Sequence, residues 1–109
     1  MAPYLAPELF KSKLPPYSKK TDIYSLGVLL WELSSGYPPF KNEDYSEMAI
    51  IYNITNGMRE KMIPDTPPDY HKLYTDCWNG NCEERPNIEV VYDKLNSMLI
   101  NLMLFSMIL

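Results

Sequence analysis

Along the chain, apolar-periodic runs alternate with clusters of proline, and each cluster marks where a helix must stop or has not yet begun. The prolines fall at Pro3 and Pro7, Pro15 and Pro16, Pro38 and Pro39, Pro64 with Pro67 and Pro68, and Pro86. The strongest run spans about Asp22 to Ser35, with Thr21 placed to cap the first amides and Gly36 placed to take the left-handed conformation that ends a helix. Its apolar residues, Ile23, Leu26, Val28, Leu29, Leu30, Trp31 and Leu33, go most of the way round the helix. That coverage predicts a central helix enclosed on several sides.

A second helix is predicted from Asp44, where Asp44 and Glu47 have capping-box spacing, to Gly57, with Met48, Ile51, Tyr52 and Ile54 as its apolar side. A third follows Pro67 and Pro68, with Tyr70, Leu73, Tyr74 and Cys77 at i, i+3, i+4 and i+7. A fourth starts after Pro86, with Asn87 as its cap and Ile88, Val91, Tyr92, Leu95 and Leu99 directed inward. The fold class is therefore all-α. The last stretch carries no charge after Lys94 and is too short for the roughly 20 residues that span a bilayer. Residues 1–98 read as the domain, and residues 99–109 as an apolar tail that extends the last helix and promotes self-association.

Length limits the chain of 109 residues to one small core. A net charge of -4 gives no electrostatic reason to expect a nucleic acid or an anionic membrane as partner, and Lys11, Lys13, Lys19 and Lys20 read as a solvated loop. Cys77 and Cys82 are too few for a disulfide framework and lie in no metal-ligand spacing with the lone His71, so reduced thiols and no metal are expected. No basic-then-apolar leader opens the sequence, and a cytoplasmic protein is the expectation.

Three segments carry more. Pro3-Tyr4-Leu5-Ala6-Pro7-Glu8 resembles the end of the activation segment of protein kinases, and Asp22 to Phe40 resembles the central helix of their C-terminal lobe with its following loop. Cys77-Trp78 through Arg85-Pro86 resembles the turn between that lobe's last two helices. Order and spacing match over residues 3–95, so the chain is identified as a member of the protein kinase family, a C-lobe portion of the fold. Tyr4 is typical of serine/threonine enzymes, whereas the Cys77-Trp78 and Arg85-Pro86 pairs and Trp31-Glu32 resemble tyrosine kinases, a mixture that suggests the tyrosine-kinase-like group. Cys82 replaces a proline usual in the third motif, which is expected to loosen the turn that presents Arg85.

The resemblance implies roles residue by residue. Glu8 pairs with Arg85; Asp22 anchors the catalytic loop; Tyr4 and Leu5 contribute to substrate docking; Leu29 and Leu33 support the apolar stacks that join the two lobes. In the complete family domain ATP and magnesium are cofactors, and phosphate passes from ATP to Ser, Thr or Tyr hydroxyls. These 109 residues contain no Gly-rich phosphate loop, no strand lysine, no HRD catalytic loop and no DFG. No catalytic residue and no cofactor are therefore expected for the chain itself, which reads as a truncated, inactive kinase domain. The alternative is a non-catalytic module or decoy that docks protein partners, or the missing kinase segment, through Tyr4, Leu5 and the helix ending at Gly57.

Overall fold

The computed structural model describes residues 2–10, 18–41 and 46–108. Among them are four α-helices and three short 3-10 turns, with no strand. The first helix, α1, runs Lys19–Ser35, one turn earlier than the sequence suggests. Its N-cap is Ser18, in extended conformation, whose N–H donates to Thr21 Oγ1 at 3.3 Å. Thr21 is thus inside the first turn, where its buried hydroxyl donates to Glu8 at 3.1 Å. Gly36 closes the helix at φ +78°, its N–H donating to the Glu32 carbonyl at 2.9 Å.

Helix α3, Pro68–Cys77, starts with proline at the first helical position, where the missing N–H has no partner to lose. It lies antiparallel on α1: Tyr70 donates to the Leu30 carbonyl near one end, and Gly27 meets Tyr74, Cys77 and Trp78 near the other. Glycine is needed there, because a Cβ at position 27 would stand 2.7 Å from Cys77 Cβ. The core gathers around this contact, with Ile23, Tyr24, Val28 and Trp31 facing Leu73, Tyr74 and Cys77. Trp31 also donates its indole N–H to the Lys61 carbonyl at 2.8 Å, tying α1 to the loop before α3.

Helix α2, Glu47–Thr55, is capped by Ser46, whose hydroxyl accepts the Ala49 N–H at 3.2 Å. The expected start at Asp44 lies outside the described residues. Its buried side is Ile50 and Ile54, packed toward the turns at Ala2–Tyr4 and Pro7–Phe10, while Met48 and Tyr52 face outward. Of the predicted apolar side Ile54 is buried and Ile51 half-buried, whereas Met48 and Tyr52 are corrected to the outer face. A nine-residue helix carrying apolar residues at nearly every angle does not reveal its inner face by periodicity.

Helix α4, Ile88–Ile108, begins directly after Asn87, whose carbonyl accepts the Val91 N–H at 3.1 Å, and continues unbroken through the apolar tail. Only Val91, Leu95 and Met98 turn toward the core; Ile88, Tyr92 and Leu99 are exposed, contrary to the predicted inward set. The reason is that α4 packs mainly on α3, and one neighbour covers a single narrow stripe. No helix among the described residues is long and apolar enough to cross a membrane.

The expected enclosure of α1 holds for Ile23, Val28, Leu30 and Trp31 and stops at one stripe. Helix α1 is closed on the side of α3, but Leu29 and Leu33 are 47% and 77% exposed. With Asp22 and the half-buried Leu26 they form a stripe at steps of four, three and four residues, open at Leu29 and Leu33.

Candidate functional site

The Arg85 side chain makes four hydrogen bonds. It follows the 3-10 turn Cys82–Glu84, which Asn81 caps by accepting the Glu83 N–H at 3.0 Å and which the Arg85 N–H closes onto the Cys82 carbonyl at 3.2 Å. The turn is closed by these two bonds with cysteine standing where the family usually has proline. The guanidinium is fully buried and meets Glu8 in a two-bond fork, Nη1 to Oε2 and Nη2 to Oε1, each 2.8 Å. Nη1 also donates to the Lys20 carbonyl at 3.0 Å and Nε to the Asn79 carbonyl at 2.8 Å, while Lys20 Nζ returns a bond to the Arg85 carbonyl. Three stretches distant in sequence, Pro7–Phe10, the start of α1 and the turn before α4, are pinned at one point.

The physics favours arginine here, since a planar fork matches a carboxylate and remains charged when buried. Burial pushes the Glu8 carboxyl upward. The bonds from Arg85, from its own backbone N–H and from Thr21 outweigh it, so the pKa lies below the ordinary carboxylate value. The Arg85 guanidinium also rests over the Tyr24 ring, 5.1 Å from the centroid.

A second arginine, which the sequence reading passed over, shares that ring. Arg59 lies 5.1 Å from the Tyr24 centroid and donates to the Ile54 and Met58 carbonyls at 3.0 and 2.8 Å and to the Trp78 carbonyl at 3.1 Å. It clamps the C-terminal ends of α2 and α3, where unsatisfied carbonyls and the helix dipole both favour a cation. Burial, partly offset by Tyr24, lowers its pKa from the ordinary arginine value. The available signal was a basic residue two positions beyond Gly57, the expected helix end.

The other predicted residues lie apart from the pair. The Tyr4 hydroxyl bonds to Glu32 of α1, and Ser25 donates to the Tyr4 carbonyl at 2.7 Å. That bond to Glu32, then burial and the carboxylate's charge, push the Tyr4 phenol up to about 12. Leu5 is half-buried beside it, its N–H closing the turn onto the Ala2 carbonyl at 3.1 Å. Asp22 is on the first turn of α1 and lines a cleft of about 580 Å³ between the N-terminal ends of α1 and α4, with Lys19, Lys20, Leu26, Ile88 and Glu89 among its walls. Leu29 and Leu33 continue from Asp22 along the open stripe. The structure brings Glu8 and Arg85 together, aligns Asp22, Leu29 and Leu33 on another face, and fixes Tyr4 and Leu5 against α1.

Nucleotide and magnesium do not fit the groups present. Gly27 is packed inside a helix, Gly36 and Gly57 sit at helix ends at positive φ, and Gly80 lies beside Arg59, so no run of glycine amides surrounds a phosphate-sized space. Among the described residues no three His, Cys, Asp or Glu side chains converge as metal ligands. Cys77 is buried, with its thiol pushed up to about 12 chiefly by burial, and His71 is packed edge-on against Tyr74 at 5.3 Å.

Similarity to known proteins accounts for this geometry. A family model described as protein tyrosine and serine/threonine kinase matches residues 1–95. The chain is 32% identical over 90 residues to human mitogen-activated protein kinase kinase kinase 7, covering 83% of this chain and 14% of that protein. It is 35% identical over 100 residues to the dual specificity protein kinase shkD of Dictyostelium discoideum, covering 90% and 13%, respectively. To the putative serine/threonine-protein kinase/receptor R818 of Acanthamoeba polyphaga mimivirus it is 32% identical over 96 residues, covering 88% and 6%. The chain thus spans less than a sixth of the length of each of these relatives. With the family model matched over most of its length, the chain belongs to the protein tyrosine and serine/threonine kinase family.

Proposed function

We propose that this chain is the scaffolding portion of a protein kinase domain, one that phosphorylates Ser, Thr or Tyr hydroxyls from ATP when joined to the groups that perform the reaction. Phosphoryl transfer is catalysed almost entirely by positioning and charge stabilisation. What this chain contributes is position. The Glu8 and Arg85 fork seats the Pro7–Phe10 turn on the start of α1, and Ser25 and Glu32 hold the Tyr4 turn about one and three helical turns further along. In this reading Asp22 anchors a catalytic loop, Leu29 and Leu33 support the apolar stacks between lobes, and Tyr4 and Leu5 border the docked substrate. The observation that carries the reading is the pairing of a closed ion-pair site at the start of α1 with two exposed leucines, Leu29 and Leu33, further along the same helix.

The isolated chain is expected to be catalytically silent. In an assay of the purified chain with magnesium, labelled ATP and a mixed protein acceptor, no labelled acceptor should form; transfer above the uncatalysed rate overturns the reading. A second reading, a docking module without catalysis, is favoured by one observation, the outward pair Met48 and Tyr52 on α2. Under it the partner is a protein, and Met48→Asp with Tyr52→Asp abolishes its binding without unfolding the chain. Unpaired cysteines support a reducing, cytoplasmic setting for either reading.

A further inference from the structure

The apolar stripe of α4 outlasts its support. Val91, Leu95 and Met98 close the core against α3, and Leu102 and Phe105 carry the stripe on at the same alternating steps of four and three residues. The first turn of α3 reaches α4 near Met98 and Asn101, where Asp69 forms the opposite wall of a shallow groove. Past that level Leu102 is 64% and Phe105 60% exposed. The remaining sides of the helix are apolar too: Leu99, Ile100, Met103, Leu104 and Met107 are all exposed, interrupted only by Asn101 and Ser106. A helix of this kind is stable when enclosed.

What would enclose it follows from charge, length and area. No charged residue follows Lys94, so nothing repels an identical helix and nothing attracts an anionic lipid surface. Residues 98–108 rise about 16 Å, roughly half of a hydrocarbon core about 30 Å thick. Leu99, Leu102 and Phe105, on the side of the stripe, offer on the order of 350 Å² to one partner, and all seven large side chains, each about half or more exposed, offer on the order of 800 Å² when every side is covered, the area each partner gives to a standard interface.

We propose that residues 98–108 pair antiparallel with the same residues of a second copy of this chain, with Leu102 at the two-fold axis. Direction is set by α3, which already occupies the stripe as far as Met98. A parallel partner would run into it, whereas an antiparallel partner overlaps only the distal half and leaves each body beyond the other's end. Ile100, Leu104 and Met107, on the far side of the helix, let two such pairs stack into a four-helix bundle as concentration rises.

Sedimentation velocity on the 109-residue chain should show a dimer passing to a tetramer. Leu102→Glu with Phe105→Glu should yield a monomer whose near-ultraviolet dichroism is unchanged and whose urea midpoint no longer rises with protein concentration, since both residues lie outside the core and only association is lost. In a Cys82→Ser background, Leu102→Cys should form an intermolecular disulfide on oxidation. Phe105→Cys should not, because its own copy lies well beyond the roughly 7 Å Cα separation a disulfide tolerates. A monomer at the highest soluble concentration, polydisperse aggregate unaffected by the glutamates, or equal cross-linking at both positions would overturn the proposal. So would flotation with neutral phosphatidylcholine vesicles by a chain that is monomeric in buffer.

Discussion

Helix α1 has two faces of similar composition and opposite fates. Tyr24, Val28 and Trp31 are buried against α3 and the loops, and Gly27 lets the two backbones approach until a single methyl would not fit. Leu29 and Leu33 are as apolar as these residues, yet they look outward beside Asp22. The contrast teaches that apolar coverage reports how many neighbours a helix is built for, and a given chain need not supply them all. On the closed face the physics is packing and a buried ion pair. On the open face it is exposed apolar surface, which the proposed scaffolding role assigns to contact with further kinase segments.

The comparison is broken most severely by parting the ion pair. Glu8→Ala or Arg85→Met leaves a charge or its bonding partners stranded and should destabilise the chain by about 3 to 5 kcal/mol, enough to unfold a marginal domain. Far-ultraviolet dichroism during urea titration would register it, and a loss below about 1 kcal/mol would mean that the pair is peripheral. Next is Gly27→Ala, whose added methyl must displace Cys77, the Tyr74 carbonyl or the Trp78 amide. A loss of about 1 to 3 kcal/mol is expected from such overpacking. An unchanged midpoint would show that α1 and α3 are not in close contact.

Acid should dissect the same site more gently. The pKa of Glu8 is depressed in the folded chain, so its contribution is complete above the ordinary value of 4.5 and is lost as pH falls from there through the folded value. Glu8→Gln should flatten the fall of stability over that interval, and an identical acid profile in the two proteins would contradict the assignment. Smallest of all is the effect of opening nothing. Leu29→Gln with Leu33→Gln should shift stability by within about 0.5 kcal/mol each while reducing binding of an apolar fluorescent dye. A loss like that from Gly27→Ala would mean that the stripe is covered.

Much of this was legible from the residues. Proline and glycine punctuate so strongly that α1, α3 and α4 were located to within a turn, and Gly36 ends α1 at positive φ. Caps were less legible, because several polar residues precede each helix and only the backbone path selects Ser18 over Thr21. Inner faces were hardest wherever a helix is apolar on most sides. The inward choice of Ile50 and Ile54 in α2, and of Val91, Leu95 and Met98 in α4, depends on the neighbour each helix meets. The Arg59 clamp was only half legible: a basic residue just past Gly57 is a helix-end signal, but its partners are backbone carbonyls, which leave no mark in a sequence.

Calorimetric titration of the purified chain with ATP and magnesium tests the proposed scaffolding role most directly, since among the described residues neither a run of glycine amides nor a cluster of metal ligands forms a nucleotide site. The account predicts no saturable heat up to millimolar nucleotide. A magnesium-dependent isotherm with a micromolar Kd would contradict it.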